Sequence, residues 1–482
     1  MLTRSPSETL TDQLANRFAQ RIRNRLLPPG SRLPSVRECA QRHEVSPYTV
    51  VAAYDQLLAQ GLIEARRNRG FFVRESRADT RTEPAGAERG TRASPQVRAQ
   101  PPVDAATLIR GMFRQVDSQG VQMKGTPGMG VLPAEWLETT MLGSAVRRVS
   151  NATNLRTLSL QYGEPAGDPA LRRALSHKLA GMEIEAPPEQ IVTAVGATHA
   201  LDIICRTLLK AGDSVMVDEP GWAVEFARLT QMGMRILPVP RHEDGPDLAV
   251  MARYCEAHAP EQRPKLFISV SVLHNPTGLC LTPSHAHRVL QLAQQHDFLV
   301  VEDDTYSHLA PPHATRMCAL DALRRSIYVS GFAKILAPNW RVGYLAAPPA
   351  LVERFIDTKL LTTLTTPSLF EQAIAHCLEQ GQIRRHADRV RARLDAARSR
   401  SVQLALKAGC RFVTEPAGLF GWVDTGVDTD RLAQAMLDEG YLLAPGSLFH
   451  AVRQSSTLMR LNFANTQDSS FWSDFVRIRG RL

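Results

Sequence analysis

The 482-residue sequence contains no Cys-x-x-Cys pair, no apolar run reaching the roughly 18 residues of a membrane span, no internal repeat and, across its first 75 residues, no lysine. The seven cysteines, Cys39, Cys205, Cys255, Cys280, Cys318, Cys377 and Cys410, follow no metal-ligand spacing, so reduced thiols and a cytoplasmic location are expected. The fourteen histidines repeat no ligand spacing either, and no metal is expected. Met1-Leu-Thr-Arg-Ser-Pro lacks the apolar core of a signal peptide, which argues against export and, with no span present, against a membrane partner. The missing lysines mean something else. Twelve arginines stand against seven acids in residues 1–75, so this first sixth of the chain carries a surplus of five out of the net +9. Arginine concentrated at one end points to phosphates; the plain alternative is a small helical interaction domain with a solvated arginine face.

The pattern of these residues favours the first reading. Leu10, Leu14, Phe18, Ile22 and Leu26 recur every four residues, one face of an amphipathic helix that Pro28-Pro-Gly30 ends. A short second helix is expected from Pro34 or Ser35 to about His43, and a third after Ser46, with Ser46 as N-cap and Pro47 at the first helical position. Two short helices across a tight turn, with Tyr48 and Thr49 exposed near the start of the second, predict a helix-turn-helix. Leu62–Arg66 and Phe71–Arg74 flank Arg67-Asn-Arg-Gly70, a β-hairpin wing with a basic tip. From Glu75 to about Asp104 the chain has no aromatic residue and almost no large apolar one, so it reads as a flexible tether. The expected division is residues 1–75, a linker 76–105, and a body 106–482.

In the body, strand-like and helical runs alternate: 190–194, helix 198–210, 214–217, helix 221–232, 236–238, 265–272, helix 283–296, 299–302 and 327–330. That rhythm predicts an α/β body with a mainly parallel sheet and crossover helices, followed by a smaller α+β portion that includes a strand at 457–463. Residues 384–407 form a further helix whose many arginines read as a solvated face.

Four segments carry chemistry. Lys334 follows a β-type run among small and apolar residues; desolvation there lowers an amine's pKa and frees it to attack a carbonyl. Arg341, seven residues on, is a fixed cation suited to a phosphate, although a snorkelling lysine beside a surface arginine would look the same in this window alone. Leu299-Val-Val-Glu-Asp-Asp-Thr-Tyr306 runs a hydrophobic strand into Asp303 at its carboxyl end, where ligands bind in α/β sheets, and Asp303 could pair with a pyridinium nitrogen. Tyr306 and Asn275, the latter in His274-Asn-Pro-Thr-Gly278, could serve a phenolate oxygen. Gly196, Ala197 and Thr198 form a strand-to-helix turn whose N–H groups suit a phosphate.

In this order the segments from about Ile109 onward resemble the class I aminotransferases of the fold-type I pyridoxal phosphate enzymes. The resemblance implies pyridoxal 5'-phosphate as cofactor, Lys334 as its Schiff-base lysine and Asp303 as its pyridinium partner. Asn275 and Tyr306 become the phenolate partners, and Arg341 with Gly196–Thr198 the phosphate holders. Trp222, in Asp218-Glu-Pro-Gly-Trp, matches an aromatic stacked on the ring, and Tyr162 a residue that reaches the neighbouring subunit's cofactor phosphate. Arg460 matches the clamp on a substrate α-carboxylate; a salt bridge to Asp424 is its plain alternative. Gly331 and Ala333 stand where the family usually has hydroxyls, so either the phosphate is held by fewer donors or Ser330 substitutes.

Pro29-Gly-Ser-Arg-Leu-Pro-Ser-Val-Arg37, with Val45-Ser46, Thr49-Val50 and Arg69-Gly-Phe-Phe-Val73, is similar to the winged helix-turn-helix of the GntR regulators. That implies operator DNA as partner and contacts from Ser35, Arg37, Ser46, Tyr48, Thr49, Arg67, Arg69 and Gly70. Pro47 departs from the arginine common at its place, which removes one expected contact. A GntR-type head on an aminotransferase-like body is the arrangement of the MocR subfamily. It implies a homodimeric cytoplasmic regulator, nucleoid-associated when bound to DNA, that senses an amine, an amino acid or the cofactor itself. The rival reading is a working aminotransferase that its basic head merely localises.

Overall fold

In the N-terminal part, three helices and a hairpin enclose one small core. They are α1 (Leu10–Arg23), α2 (Val36–His43), α3 (Pro47–Ala59), β1 (Ile63–Arg66) and β2 (Gly70–Val73). The four-residue apolar stripe buries Leu14, Phe18 and Ile22 against Val50, Tyr54 and Leu57 of α3, with Ile63 and Val73 of the hairpin closing the cluster. The Phe18 and Tyr54 rings meet edge to face at 5.7 Å, and the Tyr54 hydroxyl donates to the Pro34 carbonyl at 2.9 Å. Ser35 caps α2 in a reciprocal box with Glu38, and Ser46 caps α3 by accepting from the Thr49 N–H at 3.1 Å, with Pro47 at the first position as its sequence predicts. The computed structural model describes residues 9–23, 27, 29–66, 69–74, 124–137, 139–256, 263–311 and 313–482. The expected linker 76–105 and the wing residue Arg67 lie outside these.

By contacts the chain forms two units, Met1–Gly125 with Ala433–Leu442, and Thr126–Leu432 with Leu443–Leu482. The second contains a seven-stranded sheet of β3 (Ile191–Val195), β4 (Ser214–Glu219), β5 (Arg235–Pro240), β6 (Pro264–Ser269), β7 (Leu299–Asp303), β8 (Ser326–Gly331) and β9 (Val342–Ala346), in the order β3-β9-β8-β7-β6-β4-β5. All neighbouring pairs are parallel except those made by β9, which runs antiparallel to both β3 and β8. Alternate residues face opposite layers: Val215, Val217, Ile268, Val301 and Val329 pack with Ile203 and Ile204 of helix Ala197–Leu208, whereas Met216, Phe267 and Val300 pack with Val289 and Ala293 of helix Pro283–His296. Both faces are covered, as a parallel sheet requires. A smaller antiparallel sheet joins β10 (Arg411–Phe412), β11 (Phe420–Asp424), β12 (Ala444–Pro445) and β13 (Leu458–Asn462) in the order β10-β11-β13-β12. Among the described residues, no helix is long and apolar enough to cross a membrane.

Because Ser46 satisfies an orphan N–H at the start of α3, Ser46→Ala should cost about 1 kcal/mol locally and Ser46→Gly only a few tenths. Hydrogen exchange of the α3 amides checks this, with roughly fivefold faster exchange expected in the alanine variant.

Candidate functional site

Three strand ends and the small sheet bring the expected residues together. β8 leads through Gly331 to Lys334, β7 ends in Asp303, and β3 ends at Val195 just before the Gly196 turn. The Lys334 amine is half-buried and donates to the Gly130 carbonyl at 2.7 Å. Burial lowers its pKa to about 8, with Arg460 and Arg341 pushing the same way and Asp303 opposing them. Asp303 is buried and accepts, through Oδ1, from the Thr305 N–H at 3.0 Å and its hydroxyl at 2.5 Å; Oδ2 makes no hydrogen bond among the described residues. Burial raises this carboxyl to about 6, partly offset by Thr305 and reinforced by nearby Glu225. It is therefore mostly ionised at neutral pH and short of partners.

Arg460, on β13, is buried at 3 % exposure between the rings of Phe420 and Phe449, whose centroids lie 4.5 and 5.1 Å from its guanidinium carbon. It donates to Asn275 Oδ1 at 2.7 Å and to the Gly128 carbonyl at 2.5 Å, while Nε is buried without a partner. Burial lowers its pKa to about 10. The alternative pairing with Asp424 does not form, since Asp424 binds Arg411 at 2.8 Å. Tyr306 is buried with its ring edge-on to Phe420 at 5.5 Å, and Asn275 lies among the groups that act on its hydroxyl. Burial raises that hydroxyl's pKa well above the ordinary value. Trp222 is half-buried at the start of helix Ala223–Gln231. His274, kept neutral by burial, braces the Asn275 loop through the Thr277 hydroxyl at 2.9 Å.

The phosphate candidates form a second group. Gly196 adopts φ +82°, and no side chain caps the helix that begins at Ala197, so the N–H groups of Ala197 and Thr198 have no partner within their own first turn. Arg341 lies over this turn: its Nη2 donates to the Val195 carbonyl at 3.1 Å, and a Cβ on Gly196 would come within 2.4 Å of it. His199 ties the turn from both ring nitrogens, to the Val195 N–H and the Thr363 hydroxyl, each at 3.0 Å. Ser330 does not substitute for the missing hydroxyls. Its side chain donates to the Asp304 carbonyl at 2.9 Å and meets Ser307 at 3.2 Å, which commits it to the sheet. Tyr162 stands outside the group, 83 % exposed.

In the head, Ser35, Arg37, Ser46, Arg69 and Gly70 are exposed, Tyr48 is 82 % exposed, and Thr49 shares a 2.8 Å hydrogen bond with Ser46. Arg32 was missed by the sequence reading. The hairpin brings its guanidinium to within 3.5 Å of where a Cβ on Gly70 would lie, so it joins the wing. Gly128, Gly130, Phe420 and Phe449 were also missed, because a backbone carbonyl or an apolar ring near a cation leaves no local signature.

The aminotransferase class I and II model matches residues 139–471, well over half of the sequence. The chain belongs to that family. Residues 10–73 of this family member match the bacterial regulatory proteins of the gntR family, which gives the head its type. Among curated proteins it is 26 % identical over 457 residues to the uncharacterized HTH-type transcriptional regulator YisV of Bacillus subtilis, covering 91 % of this chain and 89 % of that one. It is 28 % identical over 417 residues to the probable rhizopine catabolism regulatory protein MocR of Rhizobium meliloti, covering 83 % and 78 %. Among solved structures, the α-aminoadipate aminotransferase LysN of Thermus thermophilus, complexed with N-(5'-phosphopyridoxyl)-L-leucine, shares the fold at a TM-score of 0.68 and 23 % identity, over 79 % of this chain and 95 % of that one.

The family's cofactor is pyridoxal 5'-phosphate, and the residues present suit it. An uncapped helix start under Arg341 suits the phosphate, a buried carboxylate with an open oxygen suits the ring nitrogen, and an amine with no carboxylate beside it suits the aldehyde. Gly196→Ala would strain a positive φ and drive a methyl into Arg341, so at least a tenfold loss in cofactor affinity is expected by fluorescence titration. Ser330→Ala should leave that affinity within about twofold, because its hydroxyl is already committed.

Proposed function

We infer that the protein is a pyridoxal phosphate-dependent transcription regulator, and we propose that its body senses an amine or amino acid through Lys334 while its head grips operator DNA. What carries the reading is the coexistence, in one chain, of a capped, arginine-bearing winged helix and two sheets that together gather Lys334, Asp303 and Arg460. When bound, the cofactor supplies an electrophilic carbon and a ring that accepts electrons. The remaining steps belong to the protein. Lys334, with a pKa near 8, exchanges a proton close to physiological pH and can act as nucleophile and proton carrier. Asp303 holds a negative charge where a protonated ring nitrogen would be stabilised. Arg460 offers an unpartnered Nε to an effector carboxylate, which would compete with the Gly128 carbonyl for Nη2.

That competition supports a route for the signal. Gly128 and Gly130 belong to one loop, residues 126–132, whose carbonyls accept from Arg460 and Lys334; Met129 and Val131 of the same loop accept from Asn462 at 2.7 Å each. This loop is covalently continuous with the segment that leads from the head. An effector that displaces it from Arg460 would therefore change the point from which the chain leads back to the DNA-binding module, and with it the population of head positions. The dimer that such a regulator needs to read a two-part operator fits the exposed Tyr162, which by resemblance reaches a neighbouring cofactor. The rival, a working aminotransferase, keeps the same lysine and arginine; turnover of an amino acid with a keto acid would favour it.

Operator affinity measured with and without cofactor and a panel of amines tests the reading. A change of fivefold or more that vanishes in Lys334→Ala is expected, and an affinity indifferent to every combination would overturn it. Arg460→Gln should weaken the response to α-amino acids by tenfold or more while leaving simple amines unaffected. In the head, Arg37→Ala should reduce the slope of log affinity against log salt by about one.

A further inference from the structure

The helix Gln382–Lys407 carries more arginine than the mechanism uses. Two of its arginines find acids three residues back, Arg391 at Asp388 and Arg398 at Asp395. Arg389 and Arg393 do not. They lie four apart on one helical face, exposed, and form no ion pair among the described residues; like charges at that spacing repel unless an anion lies between them. Both line a cavity of about 480 Å³, together with Trp136, Thr139, His386 and Glu135. That volume lies within the ordinary range for a small-molecule site. The lining is specific in character. Two guanidiniums face one carboxylate, so the net sign is positive, and the Trp136 indole offers a flat apolar wall. The arginine-rich stretch that the sequence presents as a solvated face thus has one cationic, concave patch.

The cavity is also joined to the lysine strand. His386, buried in its wall at 3 % exposure, is hydrogen-bonded through Nε2 to the carbonyl of Ile335, the residue after Lys334, at 2.8 Å.

We propose that this cavity is a second ligand site, which binds a small molecule bearing a phosphate or carboxylate through Arg389 and Arg393. It is separate from the site at Lys334 and reaches it through His386 and the Ile335 carbonyl. The proposal does not depend on the sensing role described above.

The test uses the full-length, cofactor-loaded protein, so that the phosphate turn at Gly196 is already filled. Titration calorimetry with inorganic phosphate, and separately with benzoate, at constant ionic strength should give saturable one-site binding, with the tighter of the two identifying the class of anion. Arg389→Gln with Arg393→Gln should weaken binding at least tenfold, whereas Arg37→Gln in the head should not change it. Should the double variant fold poorly by circular dichroism, Arg389→Lys with Arg393→Lys keeps the charge and should still lose severalfold, because a bidentate fork is lost. Hydrogen exchange in the presence of the ligand should slow at residues 386–393 and at 335–336. Equal affinity in the double variant, loss of binding only in the head variant, or protection confined to other segments would each overturn the proposal.

Discussion

Two cations, one half-buried and one fully buried, with no carboxylate hydrogen-bonded to either, set the character of this body. Lys334 is answered by a backbone carbonyl, and Arg460 by an amide oxygen, a second carbonyl and two aromatic faces. Carbonyl dipoles and ring quadrupoles stabilise a charge only in part, so the amine gives up its proton more readily than an exposed lysine does. The displacement from 10.5 to about 8 corresponds to roughly 3 kcal/mol of disfavour for the ammonium. The same shortfall makes Arg460 receptive to an incoming carboxylate. Asp303 mirrors it with the opposite sign, as a buried carboxyl whose second oxygen lacks a hydrogen bond among the described residues.

The sheet explains how such costly groups are held in place. Its strands are covered on both faces, and the groups suited to the cofactor lie where strands end: Asp303 is the last residue of β7, and Gly196 and Lys334 follow β3 and β8. The antiparallel β9 contributes from the other direction: it begins just after Arg341, which therefore lies beside the turn that follows β3. Gly343 on β9 stands where a Cβ would fall 2.4 Å from the Gly196 backbone, so the close approach of strand and turn depends on that residue having no side chain.

Much of this was legible beforehand, for physical reasons. A hydrophobic run leading into Glu302 and Asp303, a proline after Ser46 and an apolar stripe at spacings of four are local facts, and the sequence holds them in full. The head's caps and hairpin and the parallel strands came out within a few residues of their expected limits, although the strand expected at 265–272 ends at Ser269, where the chain turns toward the Asn275 loop. Pairings across the fold were harder to foresee. Nothing in residues 342–346 says that they run against their neighbours, and nothing in Thr126–Leu132 says that its carbonyls accept from residues more than 200 positions away. Ser330 looked free to replace a lost hydroxyl until the strand geometry turned it toward Asp304. The neighbour of each such group is set by topology, which no window of the sequence contains.

The account rests on the Lys334 amine losing its proton far more easily than a solvated lysine. Titration of the cofactor-free protein by NMR, with carbon-13 at the lysine side chains and Lys334→Ala used to assign the resonance, measures this directly. A midpoint near 8 is predicted, moving upward when Arg460 is replaced by glutamine, because that neighbouring cation lowers it. A midpoint at the ordinary value of 10.5, indifferent to Arg460, would contradict the account.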